Sequence, residues 1–231
     1  AQATGIPVVV DPDRSRGATF ALDNALGDVL ISDDGLQHYR LPRDIELAVF
    51  DGARGIGNGA LIPVGPLREP VNRLDTVDFV IVNGATTSDD EGRVPPEALS
   101  GIKHPQMYAM SLQPTRLVNL KTGETRSPES LHGQKIRSIA GIGNPTRFFD
   151  TLKALGAKQI AVPFPDHHRF RPEDLGTEAG HLLVMTAKDG VKCRGFAPDN
   201  AWVLYVEAQL PKAFSEAVLA RLRACSGPST S

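Results

Sequence analysis

The chain has few cysteines, few aromatic residues and no excess of either charge. Cys193 and Cys225 are too few for a disulfide framework and suggest a reducing compartment. Lys and Arg number 25 against 27 Asp and Glu, a net charge of -2. That balance lacks the overall positive charge typical of nucleic-acid-binding proteins. With aromatic residues at only 6% of the chain, stacking on bases is also disfavoured, so nucleic acid is not an expected partner.

Long apolar runs and a phosphate-binding loop are also absent. No run approaches the roughly 18 residues of a membrane span, and the first residues form no signal peptide. The motif G-x-x-x-x-G-K-[ST] does not occur, and there is no Gly-Lys dipeptide. A P-loop kinase would therefore need that loop outside these residues. The chain starts with Ala and soon reaches the apolar segment 6–10, which predicts that it is part of a longer protein.

What is present is an α/β pattern of short apolar runs between helix-length amphipathic stretches. Because the runs do not alternate with polar residues, they indicate strands covered on both faces, as in parallel sheets. The predicted strands are 7–10, 29–31, 45–50, 79–82, 107–112, 116–120, 136–140, 160–164, 182–185 and 202–206. The predicted helices are 16–26, with Ser15 as N-cap, 146–155, 172–179 and 211–224.

Acidic residues follow the predicted strand Val29–Ile31. Asp33 and Asp34 at that point resemble a Walker B arrangement, in which a carboxylate holds Mg²⁺ beside nucleotide phosphates. A turn or a helix cap would explain the same residues. On the pattern alone, the cap is the stronger interpretation.

Two glycine-rich segments also follow predicted strands. Residues 52–70 form a long loop in which Arg54, Arg68 and Glu69 could face phosphate or sugar; the alternative is a disordered surface loop. Residues 141–149 open a helix but do not match G-x-G-x-x-G, because Thr146 stands at the last position. Tight turn packing is the expected explanation there.

Histidines follow the predicted strand that ends at Phe164. His167 is a candidate general base or metal ligand, although an exposed or structural pair of histidines is more common. Asp166 is not expected to orient His167, because neighbours in an extended chain point to opposite sides. The other histidines have no ligand spacing with it, so no zinc site is predicted.

Several blocks taken in order resemble the tetraacyldisaccharide 4′-kinase family, the lipid A kinases of Gram-negative bacteria. They are 32-SDDGLQHYRL-41, 43-RDIELAVFDGARGIGNGALIPVGPLREP-70, 80-VIVNG-84, 138-SIAGIGNPTRFFDTL-152, 164-FPDHH-168 and 184-VMTAKDGVKC-193. The resemblance runs from about Ile6 to Leu210.

The resemblance implies a fold and a reaction. The fold would be a P-loop NTPase-like three-layer α/β/α unit, present in part, and a smaller α/β/α unit joined to it by a two-stranded β linker. The implied boundaries are 1–84 for the kinase remainder, 85–134 for the linker, 135–208 for the second unit, and 209–231 for a C-terminal helix and tail. The reaction uses ATP and Mg²⁺ to phosphorylate the 4′-hydroxyl of an acylated glucosamine disaccharide, forming lipid IVA.

The same resemblance implies where the enzyme acts and which of its parts lie outside this chain. Such enzymes are peripheral proteins at the cytoplasmic face of the inner membrane. They associate with the membrane mainly through an N-terminal segment, which is expected upstream of Ala1. The phosphate-binding loop and a catalytic Asp are expected there too. The isolated chain is therefore expected to be inactive.

The resemblance also implies roles for individual residues in the matching motifs. The implied Mg²⁺ ligands are Asp33 and Asp34; the catalytic residues are His167, Asp34 and Gln37; the substrate-binding residues are Arg14, Arg68 and Glu69. His167 would pair with the upstream Asp, whereas His168 is not carried over. The chain departs from the family at Ala187, where Glu is usual; if that acid only capped a helix, Ala costs about 0.5–2 kcal/mol.

Two alternatives of other classes remain open. An Asp/His metal-dependent phosphohydrolase would need a second cluster of metal ligands, which the sequence does not reveal. A non-catalytic module that binds sugar lipids would not depend on Asp33 or Asp34.

Overall fold

The computed structural model describes residues 4–95, 99 and 101–225. The chain divides into two compact units, Ala1–Ser111 with Leu210–Ser231 and Leu112–Gln209. Within the described ranges, no helix combines the length and the apolar character needed to cross a bilayer.

The described residues form four α-helices and eight strands. In order they are α1 (Arg14–Asp23), β1 (Leu47–Asp51), β2 (Phe79–Asn83), β3 (Met107–Asn119), β4 (Thr125–Arg126), β5 (Lys135–Ala140), α2 (Pro145–Ala154), β6 (Lys158–Pro163), β7 (Leu182–Thr186), α3 (Ala187–Cys193), β8 (Ala201–Gln209) and α4 (Lys212–Cys225). Short 3-10 helices lie at Val71–Thr76, Pro128–Leu131 and Pro172–Leu175.

In the first unit, β1, β2 and the start of β3 are parallel neighbours. Successive residues of β2 enter different cores: Val80 and Val82 pack into one cluster, and Phe79 and Ile81 into another. Burial on both faces explains why this strand is a continuous apolar run.

The C-terminal helix α4 completes the second of those clusters. The ring of Phe214 meets Phe79 edge to face at 5.7 Å and Tyr108 at 5.5 Å between ring centroids. Residues 210–225 thus pack as part of the first unit, whereas 209–231 was predicted as a separate helix and tail. The end of that tail, residues 226–231, lies outside the described residues.

The second unit has a parallel arrangement of its own. β5 lies between β6 and β7, β7 pairs with β8, and β3 neighbours β8. β4 is antiparallel to β3, with Leu117 opposite Arg126. Buried residues form two clusters, one including Leu117, Ile136 and Trp202 and the other including Ile139.

The middle of the chain differs from the prediction. Segments 107–112 and 116–120 were predicted as separate strands, but β3 runs through both, and the units divide within it rather than around a linker at 85–134. Pro114 lies between the half that pairs with β2 and the half that pairs with β4. A proline is tolerated in a strand where no ladder needs its N–H.

Two predicted strands are wrong. Residues 7–10 and 29–31 have no strand geometry, and Val10, Val29 and Ile31 are 88%, 56% and 92% exposed. An apolar run becomes a strand only when a neighbouring strand accepts its backbone hydrogen bonds. No such ladder to these runs occurs in the described part of the chain.

Two predicted helix boundaries also change. Asp13, not Ser15, is the N-cap of α1, because its carboxylate accepts the backbone N–H groups of Ser15 and Arg16. The predicted helix 172–179 is only a 3-10 turn that stops before Gly176. Asp174 fixes this turn by accepting the N–H of Arg171 at 2.9 Å.

The Phe214→Ala variant tests the place of α4 in the first unit. Phe214 is 8% exposed, so its loss should lower the free energy of unfolding by about 3–5 kcal/mol. Urea unfolding measures the difference. Leu219→Ala on the same helix is the control, because Leu219 is half exposed and should cost far less. Equal losses for the two variants would contradict this packing.

Candidate active site

The turn that carries Asp33 and Asp34 follows an irregular segment, not a strand. Asp34 adopts a left-handed backbone, with φ of 50°. A Cβ on Gly35 would come within 2.9 Å of Ser32 Cβ, so a larger residue there would require the turn to shift. The predicted strand-then-acid geometry is therefore wrong here, although both acids are exposed at one turn.

Arg68, from the end of the long loop, pairs with Asp34. Its Nη1 lies 2.6 and 2.8 Å from the two carboxylate oxygens of Asp34. This hydrogen bond, with added influence from the charges of His38 and Arg14, holds the pKa of Asp34 below its usual range. Both side chains are more than half exposed, so the pair adds little to stability and remains accessible to a ligand.

Gln37 and Glu69 join the same cluster. Gln37 Nε2 donates to Glu69 Oε1 at 2.6 Å, and Gln37 Oε1 accepts from Arg68 Nη1 at 3.3 Å. The Tyr39 hydroxyl donates to the other Glu69 oxygen. The predicted residues Asp34, Gln37, Arg68 and Glu69 are thus brought together, although 31–34 positions separate the two segments.

Arg14 begins α1 in the same unit. Its charge lowers the pKa of Asp34, so it lies within electrostatic reach of the cluster.

A less exposed layer of charges continues from Glu69. Arg73 Nε lies 3.5 Å from Glu69 Oε2, and Arg73 Nη2 is 2.7 Å from both oxygens of Glu46. Arg43 Nε is 2.8 Å from Glu46 Oε1. Sequence reasoning missed Tyr39, Arg43, Glu46 and Arg73, because their contacts span irregular distances along the chain.

The long loop 52–70 has a defined conformation. The N–H of Ile62 donates to the Leu67 carbonyl at 2.8 Å, and that of Leu67 to Ala60 at 3.2 Å. A Cβ on Gly65 would lie only 2.2 Å from the Ala60 oxygen. These cross-loop contacts hold the segment that ends in Arg68 and Glu69, which argues against the alternative of a disordered loop.

His167 lies in the second unit, in a turn after β6. Its backbone is left-handed, with φ of 60°, and its ring is 77% exposed. Asp166 Oδ2 lies 3.8 Å from its Nε2. The two side chains do not point to opposite sides, because this backbone is a turn and not an extended chain. At 3.8 Å, however, the carboxylate makes no hydrogen bond that would orient the ring of His167.

Asp166 also faces Lys188, at 3.4 Å. Burial alone would raise the pKa of Asp166, but the backbone N–H of His167 and the charges of His167 and Lys188 lower it overall. The carboxylate at this turn is thus stabilised in its charged form.

His168, by contrast, is held in packing contacts. Its Nε2 lies 3.0 Å from Asp174 Oδ2, and its ring packs 4.6 Å from Phe164 and 4.9 Å from Phe170. The hydrogen bond from His168 lowers the pKa of Asp174. These contacts give His168 a structural role.

The buried carboxylate of Asp189 fixes the glycine-rich turn after β5. It accepts the N–H of Gly141 at 3.0 Å and the Thr186 hydroxyl at 2.8 Å, and it pairs with Lys192 at 2.8 Å. This is the tight packing expected for the turn.

The cap of α3 resolves the question raised by Ala187. Thr186 is the N-cap, and its side chain accepts the N–H of Asp189. Ala187 is the first helical residue, so an acid at this position would not act as the N-cap.

No group of three or more metal-ligating side chains occurs within residues 4–95, 99 and 101–225. The adjacent carboxylates of Asp33 and Asp34 nevertheless fit Mg²⁺, which usually takes one or two carboxylates from a protein and its remaining ligands from phosphates and water. Because Arg68 holds both oxygens of Asp34, a cation there would have to share that carboxylate.

Comparison with known proteins places these residues in a family. A family model described as tetraacyldisaccharide-1-P 4′-kinase (LpxK) matches residues 1–223. The chain belongs to this family. A tetraacyldisaccharide 4′-kinase of Pseudomonas putida strain W619 is 47% identical over 214 residues, covering 92% of this chain and 59% of the relative. One of Azotobacter vinelandii is 46% identical over 229 residues, covering 97% and 64%.

A solved structure shows the same fold. The crystal structure of LpxK from Aquifex aeolicus, in complex with ATP, superposes with a TM-score of 0.64 at 24% identity. It covers 91% of this chain and 62% of the Aquifex chain. The expected P-loop kinase fold is thereby confirmed. This family member spans about three fifths of the length of the curated kinases it matches.

The Glu69→Gln variant should show a pH-dependent loss of stability. The Tyr39 hydroxyl first, and then Gln37 and Arg73, hold the pKa of Glu69 below its ordinary value of about 4.3. A lowered pKa stabilises the fold above that value, and the contribution disappears as pH falls through the folded-state pKa. The difference in unfolding free energy between wild type and Glu69→Gln should therefore be constant from pH 6 to 8 and shrink below about pH 4.

Urea unfolding at each pH measures that difference. Glu216→Gln is the control, since Glu216 is 63% exposed and pairs only with Lys212 among the contacts recorded for it. A difference for Glu69→Gln that stays constant down to pH 3 would contradict the network.

Proposed function

We propose that this protein is part of a kinase that transfers the γ-phosphate of ATP to the 4′-hydroxyl of a tetraacylated glucosamine disaccharide, forming lipid IVA. The supporting observation is the cluster of Asp34, Gln37, Arg68 and Glu69, formed by two distant segments in a member of this family. The names of the relatives give the reaction class.

In this proposal Asp33 and Asp34 hold Mg²⁺ beside the phosphates of ATP. When bound, the cation neutralises phosphate charge and orients the transferred group. The cradle for the β- and γ-phosphates would come from a Walker A loop, and these 231 residues contain none. The chain alone should therefore be inactive.

Arg68 supplies positive charge at this turn, and the charge of Arg14 also acts on Asp34. Phosphoryl transfer is catalysed mainly by positioning and by stabilising charge on the phosphoryl oxygens. The guanidinium of Arg68 already lies against Asp34, so it could contact phosphate oxygens while holding that carboxylate in place.

Gln37 and Glu69 are proposed to orient the sugar. Both carry oxygens that can accept hydrogen bonds from hydroxyl groups. Because they also hold each other at 2.6 Å, they would present a fixed pair of acceptors to the glucosamine ring.

His167 is proposed to remove the proton from the attacking hydroxyl, together with an Asp supplied upstream of Ala1. Its exposed ring is accessible, and an imidazole nitrogen can accept a proton from a hydroxyl group. Asp166, 3.8 Å away, would favour the protonated ring that results.

The substrate implies a membrane surface as partner. A tetraacyl lipid resides in a bilayer, so we propose that the protein works peripherally at the cytoplasmic face of the inner membrane.

The metal-site proposal is tested in the full-length protein by Asp33→Asn and Asp34→Asn. Removing a carboxylate that positions the cation should lower kcat by about 10²–10³-fold, with little change in melting temperature. The assay follows transfer of labelled γ-phosphate to the lipid disaccharide. Asp23→Asn is the control, because Asp23 is an exposed carboxylate at the end of α1.

Other outcomes would point to other functions. Near-normal turnover in both variants would refute the metal assignment. Release of phosphate without transfer to the lipid would indicate a phosphohydrolase, and lipid binding without turnover would indicate a binding module.

The His167→Gln variant tests the proposed base. Positioned acid–base groups contribute about 10²–10⁴-fold, so kcat should fall by that order without loss of stability. His168→Gln should instead lower the melting temperature, because it breaks the contact with Asp174, and should reduce kcat much less. The opposite ranking of the kcat values would show that the base is His168.

A further inference from the structure

Glu46 joins two arginines beneath the exposed cluster. Its Oε1 lies 2.8 Å from Arg43 Nε, and both of its oxygens lie 2.7 Å from Arg73 Nη2. The Glu46 side chain is 13% exposed, and each arginine 18%. A carboxylate shared by two poorly solvated guanidinium groups forms short, directional, charge-assisted hydrogen bonds.

Each arginine reaches a different segment of the site. Arg43 Nη1 donates to the carbonyl oxygens of Gly35 at 3.0 Å and Leu36 at 2.9 Å. Those two residues form the turn between Asp34 and Gln37. Arg43 therefore fixes the backbone that carries both side chains.

Arg73 acts on the other segment. Its Nε lies 3.5 Å from Glu69 Oε2, and the charge of Arg73 helps to lower the pKa of Glu69. Glu69 in turn accepts from Gln37. Gln37 also contacts Arg68, and Arg68 contacts Asp34. The contacts therefore form a closed circuit, because Asp34 lies on the turn that Arg43 holds.

We propose that Glu46 is a positioning residue for the phosphoryl transfer, acting through Arg43 on the Asp34 turn and through Arg73 on Glu69. This inference rests on the proposed function. Glu46 contacts none of the groups assigned to ATP, Mg²⁺ or sugar. It sets the separation of two segments whose side chains do.

Removing only the charge of Glu46 exposes this role. In Glu46→Gln the side chain keeps its size, but two guanidinium groups remain with no anion between them. Their repulsion should release Arg43 from the turn or draw Arg73 fully onto Glu69. Either change displaces side chains that must be held closely for catalysis.

The kinetic test uses the full-length kinase. Glu46→Gln should lower kcat about 10- to 100-fold and change the KM for ATP less than about threefold, because the phosphate cradle lies elsewhere. Asp78→Asn is the matched control: Asp78 accepts the backbone N–H of Glu46 at 2.9 Å and pairs with Arg221. It anchors the same segment with no recorded contact to either Arg43 or Arg73. An equal loss of kcat in Asp78→Asn would overturn the proposal.

A double-variant cycle separates positioning from general damage. Glu69→Gln should also lower kcat, and adding Glu46→Gln should then cost much less than it does alone, because both changes break one network. Multiplicative losses would show that Glu46 does not act through Glu69.

Hydrogen exchange supplies a readout that needs no activity. The amides of His38 and Leu41 close the turn by donating to Gly35 and His38, each at 3.0 Å. Exchange in peptides covering 33–41 should rise at least several-fold in Glu46→Gln and stay unchanged in Asp78→Asn. Unchanged exchange in Glu46→Gln would refute the positioning role even if the wild type transferred no phosphate, an outcome that would separately reject the proposed function.

Discussion

The turn with Asp33 and Asp34 is held by side chains, because no strand supports it in the described structure. The segment before it is exposed and irregular. Arg43 donates to backbone carbonyls of the turn, and Arg68 donates to the carboxylate of Asp34. The geometry of the candidate site therefore depends on charge-assisted contacts between segments, and these contacts are sensitive to every charge in the circuit.

The fold was predictable where local sequence and burial agree. β2, β5 and β7 are covered on both faces, so their apolar runs identified them correctly. Residues 7–10 and 29–31 have the same apolar character but no strand partner, and sequence does not reveal partners. α4 was found as a helix, yet its place in the first unit depends on Phe79 and Tyr108, more than a hundred residues earlier.

The site was predictable only in part. Family resemblance singled out Asp34, Gln37, Arg68 and Glu69, and these four do meet. Spacing could not find Glu46 and Arg73, because an ion pair across 27 positions leaves no periodic pattern. The side of the chain on which Asp166 lies could not be predicted, because it depends on the left-handed backbone of His167. The catalytic roles of these residues stay predictions.

The return of α4 to the first unit makes the second unit an insertion within the first. On a ribosome, residues 112–209 emerge complete while the first unit still lacks Phe214 and the rest of its aromatic cluster. Domains generally fold as units during synthesis, so the inserted unit can close first. The first unit then stays incomplete, with Phe79 and Ile81 exposed on one face of β2, until α4 has been synthesised. Protein quality control would therefore act on a nascent chain in which this apolar face of β2 is exposed.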